Sequence, residues 1–94
     1  MTEIPLTRGY VAFIDDENAE LVGAYRWRVL VQSHTCYAIA RLPRREGKQR
    51  TLYMHRLITS AKAGERVLHI DGNGLNNTRG NLSVSGTVRE AKRS

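Results

Sequence analysis

Val67 to Leu82 reads VLHIDGNGLNNTRGNL, with one histidine, one aspartate and four asparagines set among glycines and fenced by apolar residues. These are the residues from which turns are built. Asp and Asn side chains bond backbone two residues on, and glycine takes positive φ without steric cost. On this reading Gly72 and Gly74 supply positive φ and Asp71 begins an Asx turn in DGNG. Asn73, Asn76 and Asn77 bond their side chains to nearby backbone. Turn chemistry does not explain His69 at the entrance, nor Leu68 just before it.

A second set of residues is cationic. YRWRVLVQ alternates basic with apolar or aromatic residues, as a half-buried strand does, so Arg26 and Arg28 are expected on the face opposite Trp27. Arg41, Arg44, Arg45, Lys48 and Arg50 flank the next strand and the polar stretch PRREGKQR. A strand face or β-ribbon carrying arginines fits the major groove of DNA. Arg44, Arg45 and Lys48 are placed for phosphates, which give affinity and salt dependence rather than sequence choice. The charge distribution agrees. Residues 1–40 carry three Lys/Arg and five Asp/Glu, whereas 41–94 carry twelve and four, for a net charge of +6. A basic half points first to nucleic acid.

The elements that position these residues read as follows. GYVAFID is a strand. DDENAELVGAY is a short helix capped by Asp15 or Asp16 and ended at Gly23. YRWRVLVQ and TCYAIARL form a hairpin across Ser33-His34, PRREGKQR is a loop, and TLYM is the third strand. HRLITSAKAG gives one or two helical turns closed by Gly64. RVLHI and NLSVS are strands on either side of the Asn/Gly loop. TVREAKRS is a short helix with a capping box between Thr87 and Glu90. The fold class is α+β, a small antiparallel sheet with a short helix followed by a hairpin-helix unit. With 94 residues the expectation is a single domain, 1–54 carrying the sheet and 55–94 the hairpin and helix. Trp27, Tyr25, Tyr37, Val29, Ile39 and Leu57 are the core candidates. No apolar run approaches a membrane span and MTEIPLTRGY lacks a signal-peptide pattern. With one cysteine, Cys36, a reducing cytoplasm is the expected setting.

In this order, YMHRLI, HIDGN, NN and GNL resemble the HNH endonuclease family, in its small phage or homing form. The preceding sheet region resembles the DNA-binding sheets such proteins carry. The resemblance implies a ββα-metal motif and a cytoplasmic role in a phage-infected bacterial host. It implies metal-assisted phosphodiester hydrolysis, with a histidine as general base and one divalent ion at the scissile phosphate. His69 falls on the general base, and Asn81 on the asparagine that orients it. Glu90 falls on the helix ligand, and Leu68 on the position of an aspartate ligand. Leucine cannot bind Mg²⁺ or another divalent cation, which takes oxygen ligands. His55 is expected to be structural, bonding backbone between the two halves, and Arg79 is a candidate contact to the scissile phosphate.

Three functions follow from this reading. The first is a protein that binds double-stranded DNA on an HNH scaffold, its nicking weak or lost through Leu68 and its cofactor a divalent metal or none. The second is an active Mg²⁺-dependent nickase using His69. The third is a phage accessory or inhibitor protein that binds a host protein. Affinity that survives high salt would mark the third. With no separate DNA-binding segment after EAKRS, the expectation is recognition by the N-terminal sheet, or assembly as a homodimer or in a larger phage complex.

Overall fold

The computed structural model describes residues 1–62 and 64–85. Three small antiparallel sheets and two short helices make an α+β fold. Strands β1 (Thr2–Pro5) and β2 (Val11–Ile14) pair from Thr2 opposite Ile14 to Pro5 opposite Val11. A 3-10 turn at Asp16–Asn18 leads into α1 (Ala19–Gly23). β3 (Arg28–Val31), β4 (Cys36–Arg45) and β5 (Lys48–Tyr53) form the second sheet in that order. Helix α2 (Met54–Thr59) follows, and β6 (Arg66–His69) pairs with β7 (Leu82–Ser85). No helix of the described residues is long and apolar enough to cross a membrane.

Ala12, Ile14, Val22, Trp27, Ala38, Ala40, Met54, Ile58 and Leu75 form the core. The three alanines lie on β2 and β4, where a missing side chain lets neighbouring elements approach closely. Trp27 is fixed at its polar end by the indole N–H, which donates to the Val22 carbonyl at 2.7 Å. Ile39 is also buried, but Tyr25 is exposed and Tyr37, Val29 and Leu57 are half-buried, so four of the six expected core residues sit at the margin. The contributions of Ala12, Val22 and Leu75 come from elements meeting in space, which strand alternation in one segment cannot reveal.

Several elements differ from the sequence reading. β1 was not expected; it forms because Ile4 packs on the core while its backbone pairs with β2. Asp15 stands at the start of the helical turn without capping it. Its carboxylate instead accepts the backbone N–H of Arg79 at 2.7 Å. α2 ends at Thr59 with Ser60 in the left-handed conformation (φ 56°), before Gly64 is reached. Arg56 then ties the chain beyond α2, donating to the carbonyls of Lys62 (2.8 Å) and Glu65 (2.9 Å).

The largest difference is PRREGKQR, which is a β-ribbon rather than a loop. β4 runs on to Arg45, the chain turns at Glu46 and Gly47 (φ 53° and 76°), and β5 begins at Lys48 opposite Arg45. Two successive positive φ values suit the right-handed twist of a tight hairpin. The register shifts between Leu42 and Arg45, around Pro43. Proline has no N–H for the ladder, and a bulge is where a strand tolerates it.

Candidate functional site

The Asn/Gly loop is a hydrogen-bonded staple. Asp71 accepts at Oδ1 from Asn73 N (2.8 Å) and from Asn81 Nδ2 (2.9 Å), and at Oδ2 from Asn76 Nδ2 (2.9 Å). These donors, Asn76 foremost, hold its carboxyl below the ordinary carboxylate range. Asn73 Oδ1 accepts from Leu75 N at 3.0 Å, a second Asx turn. Asn81 Nδ2 also donates to the Asn76 carbonyl (2.9 Å), and Asn81 Oδ1 accepts from Asp71 N (3.0 Å). Asn81 therefore shapes the loop beyond His69, and none of its side-chain bonds among the described residues reaches the ring.

The partner of the ring is Asn77, which is fully buried. His69 Nε2 lies 2.7 Å from Asn77 Oδ1. A carboxamide oxygen can only accept, so Nε2 is the donor in this contact. Asn77 thus serves the histidine and not the backbone, unlike Asn73 and Asn76. Gly72 takes positive φ (79°) as expected, but Gly74 is required for a different reason. A Cβ there would overlap the Cys36 carbonyl oxygen and fall 2.7 and 2.9 Å from two ring carbons of Tyr37. Gly74 N also donates to Thr35 Oγ1 at 2.9 Å, so the loop seats directly on the start of β4.

His69 belongs to a cluster with Tyr37, Tyr53 and His55. The two histidine rings lie edge to face, centroids 4.9 Å apart, and Tyr37 is within 5.9 Å of both. His55 does not bond backbone between the two halves: its Nδ1 is buried with no partner among the described residues, and the ring packs on Tyr53 at 5.4 Å. Burial drives its pKa down to about 4, with the charges of His69 and Arg56 adding to the effect. His55 is neutral at pH 7.

Leu68, where the resemblance implies an aspartate ligand, is 53% exposed on the hairpin, opposite Ser83. Among the described residues no three His, Cys, Asp or Glu side chains converge on a point where an ion could sit. Glu90, with Thr87 and the expected last helix, lies outside the described residues.

The basic residues form a second site. Arg28 pairs with Ile39, and Arg41 lies two residues further along β4, so the two arginines share one face of the β3–β4–β5 sheet. With Arg26, Trp27 and Thr7 they line an open groove of about 430 Å³. Trp27 and its flanking arginines thus meet in one groove, because Arg26 and Trp27 precede the strand and escape its alternation. Arg44, Arg45 and Lys48 continue along the exposed end of the ribbon. Arg50 is turned back onto the ribbon, its Nε donating to the Pro43 carbonyl at 3.0 Å. Arg79 is elsewhere, its Nε 3.6 Å from Glu17.

The chain matches no protein-family model, no protein of curated function and no solved structure. The chemistry rests on these residues alone. Sequence reasoning missed Asn77, Tyr37 and Tyr53 around His69, and Thr7 in the groove. Nothing in GLNNTR distinguishes Asn76 from Asn77; only the path of the loop decides which side chain turns inward.

Proposed function

We propose that this chain binds double-stranded DNA on an HNH-type scaffold, with metal-dependent phosphodiester cleavage weak or lost at Leu68. The observation that carries the reading is a set of exposed cations on the β3–β4–β5 sheet and its ribbon. Arg26, Arg28 and Arg41 surround one groove, and Arg44, Arg45 and Lys48 extend it along a ribbon; all six are exposed, and none makes an ion pair among the described residues. A two-stranded ribbon has the dimensions to enter the major groove, and exposed guanidiniums suit both base edges and phosphates. The acidic residues Glu17 and Asp15 lie against Arg79 instead, away from this surface.

A second reading, nicking with His69 as general base, is favoured by one observation. Asn77 holds the ring through Nε2, and in the neutral ring Nδ1 is then the base. In that case Glu90 is the carboxylate to test as metal ligand.

Supercoiled plasmid incubated with the protein and Mg²⁺ or Mn²⁺, beside His69→Ala and Leu68→Asp, separates the two. Binding of a labelled duplex is followed in parallel. The expected result is duplex binding with no nicking by the native chain, and nicking gained in Leu68→Asp. Nicking by the native chain that disappears in His69→Ala establishes the second reading. Absence of duplex binding overturns the first.

A further inference from the structure

We propose that the groove between Thr7, Arg26, Trp27, Arg28 and Arg41 is a seat for one phosphodiester of the DNA strand, and that it anchors the ribbon on the duplex. This deepens the DNA-binding reading and rests on it. Three guanidiniums line the groove and, among the described residues, no carboxylate does. None of the three arginines is engaged in a hydrogen bond or ion pair among the described residues, in contrast to Arg50, Arg56 and Arg79, whose guanidiniums are held by Pro43, by Lys62 and Glu65, and by Glu17. Guanidinium forks left open in this way fit the paired oxygens of a phosphate.

The remaining walls are rigid and carry no negative charge. Thr7 Oγ1 accepts from Val29 N at 3.0 Å, which fixes the oxygen and leaves its hydroxyl proton to donate into the groove. The indole N–H of Trp27 is committed to Val22, so the ring presents a fixed apolar wall. Tyr25 packs edge to face on that ring at 5.8 Å. The groove opens on the sheet face from which the ribbon runs, since Arg41 lies within β4, the strand that continues to Arg45. A phosphate held there places the neighbouring nucleotides along Arg44, Arg45 and Lys48.

Trp27 is the only tryptophan of the chain, so its emission reports on the groove alone. The full chain is titrated at constant ionic strength with a dinucleoside phosphodiester, with its uncharged methylphosphonate analogue and with inorganic phosphate. Arg28→Gln/Arg41→Gln is compared with the ribbon variant Arg44→Gln/Arg45→Gln, and Arg41→Lys tests the fork at constant charge. Thermal melts confirm that each variant folds. The expected result is a saturable change with the diester and none with the methylphosphonate. It is weakened roughly ten-fold or more in the groove variant and kept in the ribbon variant. In duplex binding the groove variant lowers the slope of log K against log salt by about 0.9. A response to inorganic phosphate but not to the diester, or no saturable response, overturns the seat. If the duplex still binds in that case, the DNA reading stands without it. A saturable diester response in a chain that binds no duplex sinks the DNA reading and leaves the seat in place.

Discussion

At the scale of single residues, two histidines in contact occupy opposite situations. His69 is held through Nε2 by a buried amide, that of Asn77. His55 has a buried Nδ1 with no partner among the described residues and a pKa pushed down to about 4 by burial. The unfolded chain titrates His55 near 6.5, so between 6.5 and 4 it binds a proton that the folded chain refuses. The folded state is fully favoured above 6.5 and loses stability as pH falls, down to about 4, where the loss is complete. The gap corresponds to on the order of 3 kcal/mol. Urea melts from pH 7 to pH 4 should show this decline, and His55→Phe should flatten it. An unchanged slope in the variant would place the effect elsewhere.

At the scale of elements, the Asn/Gly loop and the ribbon show how backbone requirements rather than side-chain hydrophobicity set local structure. The loop is held by Asx turns and by Asp71, and it is pressed onto β4 at Gly74. Gly74→Ala must push the loop off a backbone carbonyl, which does not yield as a flexible side chain would. A loss of about 3 kcal/mol is expected. Gly80, in the same loop, has nothing within 4 Å of a built Cβ and does not take positive φ. Gly80→Ala should change stability by under about 0.5 kcal/mol. Chemical denaturation of the two variants side by side checks the contrast, and equal losses would show that the contact at Gly74 is not what the loop depends on.

At the scale of the whole molecule, distant segments are sewn together by backbone. Phe13 N donates to the Leu75 carbonyl at 2.8 Å and Asn77 N to the Phe13 carbonyl at 2.7 Å, so the loop after β6 bonds β2 near the other end of the chain. The amide that fixes His69 is therefore itself fixed by the N-terminal hairpin. The same folding collects six exposed cations, Arg26, Arg28, Arg41, Arg44, Arg45 and Lys48, on the sheet face and ribbon. With one phosphate in the groove and one at each of Arg44, Arg45 and Lys48, the slope of log K against log salt approaches about −3.6. Fluorescence anisotropy of a labelled duplex between 50 and 200 mM salt, a range suited to such slopes, measures it. Binding that barely changes over this range would point away from phosphates and toward a protein partner.

The α+β class, the strands β2 to β7, the hairpin across Ser33-His34 and the Asx turn at Asp71 were legible in the residues, because alternation and turn chemistry act over a few positions. The excess of cations after residue 40 was legible too. The ribbon was not, since two basic residues on each side of Glu46-Gly47 look like a loop until cross-strand pairing orders them. Nor could the residues alone choose Asn77 over Asn81 as the partner of His69, place Gly74 against Cys36, or gather Thr7 with Arg26, Arg28 and Arg41. Local sequence sets conformational preference within a segment. Which segments meet, and so which polar groups must find partners away from water, is settled only when the chain closes on a common core.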